Sequence, residues 1–335
     1  MKAMRLHAPG GLDKLELFEI EGAPLPGPGE IKVRLRASSL NYHDYMVATG
    51  AMKAEDGRIP LSDGAGEVLA IGEGVSEFAV GDHVVSTFFP TWLDGANTLG
   101  GFAAVPGDGI DGYAREEVTT AATSFTRMPK GYDFAEAATL TCAGVTAWRA
   151  LVTDGPLIAG QWVLVQGTGG VSIFALQIAK AMGARVIATS SSDAKLERLV
   201  ELGADHVLNY RTQQDWGEQA RRISGGGVHH VIEVGGAGTL TQSIIAARNC
   251  GHIALIGVLA GVEGNVPTVL LMGKQIRLQG LTVGSRRDQI DFIAAIEATG
   301  LRPVIDERRF ALEDLAKAFA YEKAGGHFGK ICITI

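Results

Sequence analysis

A glycine-rich turn between an apolar strand and a helix constrains the fold of this chain more than any other feature of its sequence. The turn reads Gln166-Gly167-Thr168-Gly169-Gly170-Val171-Ser172, follows a mostly apolar segment at Trp162–Gln166, and leads into a helical pattern over Val171–Met182. Two parallel strands need a long crossover connection, which is usually a helix. The sequence therefore predicts the start of a strand–helix–strand unit in a parallel sheet.

The same alternation of strands and helices continues along the chain. Further strands are predicted at Arg185–Thr189, Asp205–Leu208, His230–Val234 and His252–Ile256, and further helices at Ala194–Leu202, Asp215–Ile223 and Thr239–Ala247. Near-continuous apolar strands separated by helices are typical of a parallel sheet that is covered on both faces. We therefore expect a doubly wound, Rossmann-type α/β domain.

The residues before this domain have the pattern of short strands broken by turns. Strands are predicted at Lys14–Ile20, Glu30–Ala37, Ala65–Ile71 and Asp82–Thr87. Proline and glycine clusters end them, because proline lacks the donor that a strand ladder needs and glycine adopts positive φ. Phe89–Gly112 then forms a long loop, and such loops are uncommon unless they are lids or disordered segments. This part of the chain is predicted to be a β-rich, barrel-like domain.

The last segment is predicted to return to the β-rich domain. It contains the strand Lys274–Leu281, helices at Asp288–Thr299 and Leu312–Ala324, and the closing strand Lys330–Ile335, while a helix over Phe134–Leu151 leads into the Rossmann domain. A length of 335 residues suits two domains, since domains typically hold ~100–200 residues. We predict a β-rich domain formed by residues 1–127 and 270–335, and a Rossmann domain formed by residues 128–269.

The composition argues against several classes of protein. Hydrophobic residues make up 46% and charged residues 20% of the chain, which is typical of a folded globular protein. A net charge of −7 with scattered Lys and Arg offers no basic surface for nucleic acid or an anionic membrane. No apolar run reaches the ~20 residues that span a bilayer, and Met1 to Gly10 lacks the apolar core of a signal peptide. Cys142, Cys250 and Cys332 are too widely spaced to indicate disulfides or a metal knuckle, so we expect a cytoplasmic protein.

The glycine turn also predicts a ligand. The pyrophosphate of a dinucleotide needs a closely approaching backbone and the N–H groups at the start of a helix, and this turn supplies both. Ser172 stands where the G-x-G-x-x-G pattern has its third glycine, a position that requires a small residue. A turn that serves packing alone is the alternative, but the strand before it and the helix after it favour a cofactor site.

The end of the next strand favours NADP(H) over NAD(H). An acidic residue there would bind the free adenosine ribose of NAD(H). This chain instead has Ser190, Ser191 and Lys195, whose hydroxyl and ammonium groups suit a 2′-phosphate. Asp193 lies further on, where it is predicted to be a first-turn or cap residue of the following helix.

Blocks of sequence outside the glycine turn point to a known family. They are Pro26-Gly27-Pro28-Gly29-Glu30, Leu40-Asn41-Tyr42-His43-Asp44, Gly64-Ala65-Gly66-Glu67-Val68, Gly81-Asp82-His83-Val84, Thr141-Cys142-Ala143-Gly144-Val145-Thr146-Ala147-Trp148, Leu202-Gly203-Ala204-Asp205 and His327-Phe328-Gly329-Lys330. These blocks cover essentially the whole chain, and together they resemble the medium-chain dehydrogenase/reductase superfamily, in which they occur in the same order. Within that superfamily the chain resembles the zinc-free quinone oxidoreductase-like branch. The resemblance implies a GroES-like catalytic domain, a nicotinamide between the two domains, and a homodimer joined edge to edge near Gly251–Gly257 and Val266–Leu271.

The resemblance also assigns cofactor contacts. It implies that Lys195 and Tyr210 contact the 2′-phosphate, that Asn41 faces the nicotinamide, and that Lys330 approaches the cofactor phosphates. The alternatives are a strand-end aromatic for Tyr210 and a solvated charge for Lys330. The predicted cofactor-binding residues are Asn41, Thr146, Gly167, Thr168, Gly169, Gly170, Val171, Ser190, Ser191, Lys195, Tyr210, Gly235, Gly257, Val258 and Lys330.

A catalytic zinc site is not expected. Catalytic zinc takes three protein ligands from Cys, His or a carboxylate. By the resemblance, zinc-dependent relatives have Cys at the position of Asn41, His at that of Ser62 and Glu at that of Asp63, so that Cys142 alone matches a ligand. Amide and alcohol oxygens are poor ligands for zinc.

These features favour the reduction of an activated acceptor. Without a Lewis acid an alkoxide is difficult to stabilise, whereas a quinone or an α,β-unsaturated carbonyl spreads the charge that a hydride brings. We therefore predict a zinc-independent, NADPH-dependent quinone or enone reductase with a small-molecule substrate. The alternatives are an alcohol dehydrogenase or aldehyde reductase of the same superfamily, and a non-enzymatic, crystallin-like NADPH-binding protein.

The candidates for catalysis and substrate binding lie before and within the long loop. His43 matches the position of a proton-relay hydroxyl in zinc alcohol dehydrogenases, and a histidine titrates near neutral pH; a structural histidine is the alternative. Asp44 is predicted to anchor this segment through backbone donors. The predicted catalytic residues are Asn41, Tyr42, His43 and Tyr45, and the predicted substrate-pocket residues are Phe88, Phe89 and Trp92, for which a packed surface lobe is the alternative.

Overall fold

The computed structural model of the protein describes residues 1–98 and 100–335, and this part of the chain contains fifteen strands and ten α-helices. In chain order, strands β1 to β15 are Lys2–Leu6, Leu15–Glu19, Glu30–Ser39, Ala65–Ile71, His83–Ser86, Glu117–Ala121, Phe125–Arg127, Trp162–Gln166, Arg185–Ser190, His206–Asn209, Val228–Glu233, Ala247–Leu255, Arg277–Gly280, Ile305–Ala311 and Lys330–Thr334. Helices α1 to α10 are Tyr42–Ala48, Phe134–Ala138, Val145–Trp148, Gly170–Ala181, Asp193–Glu201, Trp216–Ile223, Ala237–Ala246, Thr268–Gly273, Arg286–Thr299 and Leu315–Ala324.

The chain forms two compact units, Met1–Val145 with Gly284–Ile335, and Thr146–Val283. Both boundaries lie later in the chain than the predicted ends at residues 127 and 269. The residues after β7 stay with the first unit because α2 packs against β3 and the Tyr132 hydroxyl donates a 2.6 Å hydrogen bond to the Leu301 carbonyl. The residues after 269 stay with the second unit because β13 pairs with β12.

The second unit is built on a six-stranded parallel sheet with the order β10-β9-β8-β11-β12-β13. Numbered within the unit, this order is 3-2-1-4-5-6, the order of a Rossmann domain. Every residue of β8 is buried, because helices and neighbouring strands cover a central parallel strand on all sides. The predicted doubly wound domain is confirmed.

The first unit contains a seven-stranded sheet, in which β14, β15, β3, β4, β5 and β7 are neighbours in that order and β6 pairs with β3. Along β3, the buried side chains of Ile31, Val33 and Leu35 alternate with more exposed ones, as expected for a strand with one face on a core. β15, from the end of the chain, pairs antiparallel with β3. The predicted β-rich, GroES-like domain is therefore confirmed, and residues 284–335 of the last segment return to it.

The predicted helix over Phe134–Leu151 is not continuous. α2 and α3 are separated and followed by π-helical turns at Leu140–Gly144 and Arg149–Thr153. Such turns insert an extra residue into the helical ladder, which a periodicity of 3.6 residues does not reveal.

The predicted strand Lys274–Leu281 is shorter in the structure. Lys274 ends α8, and its ammonium group donates hydrogen bonds of 2.7 to 2.9 Å to three carbonyls at the end of α7. The strand begins only at Arg277. The predicted edge strand at Gly251–Gly257 is also wrong, because β12 pairs with β11 on one side and β13 on the other, and β13 forms the edge.

The long loop between β5 and β6 contains neither helix nor strand in its described residues, apart from an isolated bridge between Pro106 and Ile110. Among the described residues, no helix has both the length and the apolar character needed to cross a bilayer.

Candidate active site

The glycine turn after β8 has the shape that phosphate binding requires. Gly167 has a φ of 73°, a left-handed conformation that favours glycine. A Cβ atom added to Gly167 or to Gly169 would meet no atom within 4 Å, so both glycines face open space. Gly169 precedes α4 without a side-chain cap, which leaves the N–H groups of Gly170, Val171 and Ser172 without intrahelical acceptors. The turn can therefore hold a pyrophosphate.

Ser172 explains how the incomplete glycine motif is accommodated. Its side chain is buried, and its hydroxyl donates a 2.6 Å hydrogen bond to the carbonyl of Gln166 at the end of β8. This bond ties α4 to β8 at the point where a third glycine would otherwise permit close packing. Thr168, between the first two glycines, is also buried.

The residues predicted to contact a 2′-phosphate meet at one end of the sheet. Ser190 ends β9, and its carbonyl accepts a 3.1 Å hydrogen bond from the backbone N–H of Tyr210. Ser192 caps α5, because its hydroxyl accepts a hydrogen bond from the backbone N–H of Lys195 at 3.4 Å. Ser190, Lys195 and Tyr210 thus come together through the tip of β9, with Ser191 between the strand and the cap.

Asp193 is a first-turn residue of α5, one of its two predicted positions. Its carboxylate accepts a 2.6 Å hydrogen bond from the side-chain amide of Asn209 at the end of β10. A negative charge in the first turn also stabilises the helix. This carboxylate therefore has a structural partner beside the strand tip.

Glu233, at the end of β11, organises a turn that sequence reasoning missed. Its carboxylate is fully buried and accepts hydrogen bonds from the side chains of Gln166, Thr239 and Ser243, at 2.9, 2.5 and 2.5 Å. It also accepts hydrogen bonds from the backbone N–H groups of Gly235 and Gly236, at 2.8 and 3.0 Å. Five donors replace the water that a buried carboxylate loses, so the turn is held rigidly.

Gly257 allows the segment after β12 to approach the segment after β11 closely, because a Cβ atom on Gly257 would lie 2.5 Å from the Val234 carbonyl oxygen. Gly235 leaves room for the side chain of Thr239, which a Cβ atom there would overlap. The strands β8, β11 and β12 are parallel, so Gly235 and Gly257 lie at the carboxyl ends of the strands, as the glycine turn does. Doubly wound sheets bind ligands at these ends. Val258, which follows Gly257, is 41% exposed there. Thr146 is buried in α3, and its contact with a cofactor stays a prediction.

Lys330 is buried and hydrogen-bonded within the first unit. Its side chain is 3% exposed, and its ammonium group donates to the Leu40 carbonyl at 2.5 Å and to Asn41 Oδ1 at 2.6 Å, and pairs with Asp63 Oδ2 at 3.3 Å. All three ammonium protons therefore have acceptors within the first unit. β15 lies between β14 and β3 and buries this side chain, and the approach of Lys330 to the cofactor phosphates stays a prediction.

Asn41 and Asp44 complete a buried polar network with Lys330. The Asn41 amide donates to Asp44 Oδ2 at 3.1 Å and to the Ser62 hydroxyl at 3.3 Å. Asp44 also accepts the backbone N–H groups of Asn41 and Ser62, at 3.1 and 2.9 Å, which confirms its predicted anchoring role. Since both polar atoms of the Asn41 amide are engaged in the first unit, its contact with a nicotinamide stays a prediction.

Burial and the charge of Lys330 act in opposite directions on the pKa values of the two carboxyl groups of this network. Burial raises the pKa of Asp44 and of Asp63 to about 6, and the charge of Lys330 partly offsets the effect. Burial alone would lower the pKa of Lys330, but Asp63 and the thiols and carboxylate around it outweigh that effect, so this pKa is raised. Lys330 therefore keeps its proton at neutral pH. No group of three or more His, Cys, Asp or Glu side chains among the described residues is arranged to hold a metal ion.

His43 lies among aromatic side chains of the long loop. Its ring centroid is 5.4 Å from that of Phe88 and 5.0 Å from that of Phe102. Phe88 packs on Phe89 at 4.9 Å, and Phe89 packs on Trp92 at 5.8 Å. Phe88, Phe89 and Trp92 are buried, and their contact with a substrate stays a prediction.

The two predicted catalytic tyrosines have different surroundings. Tyr42 is 39% exposed and stacks on Tyr45 with ring centroids 5.9 Å apart. Tyr45 packs against Phe319 at 6.3 Å and belongs to the edge of a hydrophobic core cluster. The structure thus gives Tyr45 a packing role, and the predicted catalytic role of Tyr45 lacks support.

Sequence reasoning also missed Asp108. Its Oδ2 atom lies 3.4 Å from His43 Nε2, although the two residues belong to different segments of the chain. Nothing in the local pattern of a loop aspartate indicates such a partner. Glu233, by contrast, offered a signal, because an acidic residue ends an apolar strand directly before two glycines.

Comparison with known proteins identifies the family. The sequence model of the alcohol dehydrogenase GroES-like domain matches residues 27–130, and that of the zinc-binding dehydrogenases matches residues 170–298. A zinc-type alcohol dehydrogenase-like protein of Schizosaccharomyces pombe is 40% identical over 97% of this chain and 96% of its own length. The chain therefore belongs to the medium-chain dehydrogenase/reductase superfamily, a family of oxidoreductases.

Solved structures agree with this assignment and differ in their cofactors. The crystal structure of an NAD-dependent alcohol dehydrogenase matches with a TM-score of 0.90 and 33% identity, over 100% of both chains. A mycobacterial protein complexed with NADPH matches with a TM-score of 0.83 and 25% identity, over 100% of both chains. The fold is thus compatible with either dinucleotide, and the residues at the tip of β9 bear on the choice.

Proposed function

We propose that the protein is a zinc-independent, NADP(H)-dependent reductase that transfers a hydride to a quinone or an α,β-unsaturated carbonyl. One observation carries the proposal. The ammonium group of Lys330 donates hydrogen bonds to Asn41 Oδ1 and Asp63 Oδ2. By the resemblance, zinc-dependent relatives have Cys and Glu at these two positions. A cation supplied by the chain itself engages the oxygens there.

The side chains around Lys330 do not fit a catalytic zinc ion. Asn41 and Ser62 offer an amide and a hydroxyl, which bind zinc poorly. Asp63 already accepts hydrogen bonds from Ser39 at 2.5 Å and from Lys330 at 3.3 Å. The thiol of Cys142 does not by itself complete a site that needs three protein ligands. We therefore derive no step through a metal.

NADP(H) is the proposed cofactor. The open glycine turn and the uncapped start of α4 suit its pyrophosphate. Ser190, Lys195 and Tyr210 meet at the tip of β9, where hydroxyl and ammonium groups favour a 2′-phosphate, and the NADPH complex of a mycobacterial neighbour supports this choice. The NAD-dependent neighbour favours the other dinucleotide, so an assay has to include both NADPH and NADH.

The residues of the chain bind the cofactor, orient the acceptor and supply a proton. When bound, NADPH supplies the hydride. An acceptor that already spreads negative charge over a conjugated system needs no strong electrophile, which suits a site with one buried ammonium that is fully hydrogen-bonded. The proton that completes the reduction is assigned to His43, because a histidine titrates near neutral pH, whereas Tyr45 packs against the hydrophobic core and the Asn41 amide is engaged.

Two rival functions make different predictions. The names of the yeast relative and of the NAD-dependent neighbour support an alcohol dehydrogenase equally well. Such an enzyme would oxidise alcohols or reduce aldehydes, and a zinc-dependent one would lose activity when chelated. A crystallin-like protein would bind NADPH without turnover.

The test follows the absorbance of NADPH and NADH with a panel of quinones, enones and aldehydes, and in reverse with alcohols, before and after chelation. We expect NADPH oxidation by quinones or enones that chelation leaves unchanged, with metal content below one zinc per chain by elemental analysis. Activity confined to alcohols and aldehydes and abolished by chelation would replace the proposal with a metal-dependent alcohol dehydrogenase. Binding without turnover of any acceptor would favour the crystallin-like alternative.

A further inference from the structure

The imidazole of His43 faces a carboxylate that the proposed function leaves unused. His43 is the second residue of α1, and Asp108 lies in the loop between β5 and β6. The Nε2 and Oδ2 atoms are 3.4 Å apart, and the two side chains are 15% and 11% exposed. Catalytic hydrogen bonds are often long before a substrate binds, so this separation is compatible with a functional pair.

The surroundings of the pair select Asp108 as the partner of His43. Phe88 and Phe102 pack on the imidazole ring and offer no charge. The other charged group near Asp108 is Arg58, whose guanidinium bonds to Asp111 at 3.1 Å and Glu55 at 3.0 Å. Nε2 of His43 is buried and has no hydrogen-bond partner among the described residues, so Asp108 Oδ2, 3.4 Å away, is the charged atom that faces it.

We propose that Asp108 is a positioning residue that turns Nε2 of His43 toward the loop, so that Nδ1 of the protonated ring delivers a proton to the reduced substrate. The inference rests on the proposed function. The hydride brings two electrons and forms a C–H bond at the acceptor, whose π electrons move to oxygen as an enolate or phenolate. The Nδ1–H bond breaks, its proton joins that anion, and neutral His43 regains a proton from solvent.

The charge of Asp108 also sets when His43 is protonated. Burial lowers the pKa of His43, and the Asp108 carboxylate opposes this effect. Burial in turn raises the pKa of Asp108, against the charges of His43 and Arg58. Removing the carboxylate charge should therefore lower the pKa of His43 by about one unit, since a nearby opposite charge typically shifts a pKa by about 1–3 units.

The experiment compares Asp108→Asn with Asp94→Asn. Asp94 is an exposed aspartate of the same loop, and its carboxylate accepts a hydrogen bond from the backbone N–H of Gly95. The control therefore makes the same chemical change at an exposed position. NMR titration of the eight histidines, with His43 assigned through His43→Gln, measures the pKa without any turnover. The pH profile of kcat/KM for acceptor reduction measures its effect on catalysis. NADPH binding and circular dichroism confirm that each variant folds.

We expect Asp108→Asn to lower the pKa of His43 by about one unit and to move the alkaline fall of kcat/KM to lower pH by the same amount. At a fixed pH above both pKa values, kcat/KM should therefore be about tenfold lower than in the wild type. Asp94→Asn should match the wild type, and Asp108→Glu should restore the profile. If wild-type protein turns over its acceptor but Asp108→Asn behaves like Asp94→Asn in both measurements, the inference is overturned and the proposed function stands. If wild-type protein reduces no acceptor, the proposed function fails, and proton delivery by His43 fails with it.

Discussion

Replacing Lys330 by methionine tests whether the buried ammonium is the cation that the first unit requires. The substitution keeps a long apolar stem but removes three donated hydrogen bonds, to Leu40, Asn41 and Asp63. Asp63 is fully buried, so it is left without a cation in a place where water cannot replace one. Breaking a buried ion pair by removing one partner costs about 3–5 kcal/mol, and we expect a loss of that size at pH 7.

The pH dependence of this loss follows from the pKa of Asp63. In the wild type, burial already raises that pKa from its ordinary value of 3.8 to about 6, and without Lys330 it rises further. Between the unfolded and folded pKa values, the folded variant holds one more proton than the unfolded chain, so its stability increases as pH falls. At about 1.4 kcal/mol per pH unit, the variant should gain up to about 3 kcal/mol between pH 7 and pH 5. The wild type gains about 1.4 kcal/mol over the same range because its Asp63 has a pKa of about 6, so the difference between the two should narrow by up to about 1.4 kcal/mol.

Urea unfolding at pH 5, 6 and 7, followed by circular dichroism, measures both effects. Lys317→Met is the matched control, because Lys317 is exposed on α10 of the same unit, and its loss should change stability by less than about 0.5 kcal/mol. Lys330→Met with Asp63→Asn should lose the part of the added pH dependence that belongs to Asp63 and keep the part that belongs to Asp44, whose pKa the charge of Lys330 also lowers. A Lys330→Met variant within 1 kcal/mol of the wild type at pH 7, or equally affected at pH 5 and pH 7, would refute the reasoning.

Two further predictions concern the second unit. Gly169→Val should leave thermal unfolding nearly unchanged, because a side chain there meets open space, yet raise the Kd for NADPH at least about tenfold by filling the place of the pyrophosphate; an unchanged Kd in fluorescence titration would exclude the glycine turn as the phosphate site. Lys195→Ala should raise the Kd for NADPH roughly 10- to 100-fold, the loss of one charged hydrogen bond, and leave that for NADH unchanged; an equal loss for both would contradict a 2′-phosphate contact.

The alternation of strands and helices and the glycine turn could be predicted because both are encoded locally. The turn from Gln166 to Ser172 joins a strand and a helix that are consecutive in the chain, and glycine at positive φ is required there whatever surrounds it. The cap of α5 and the first-turn position of Asp193 follow from the same short-range logic. The π-helical turns after α2 and after α3 could not be predicted, because inserting one residue does not alter the apolar character of the segment.

The positions of the charged side chains depended on contacts between distant segments. The sequence alone determined a Rossmann unit with an anion-binding turn, a β-rich unit, and the residue types near a site without typical zinc ligands. Only the tertiary structure decided that Lys330 is buried against Asn41 and Asp63, and that Asp108 faces His43. The physical reason is that these partners lie up to 289 residues apart, and the pairing of β15 with β3 and the path of the long loop bring them together, whereas sequence patterns report on interactions within a few turns of the chain.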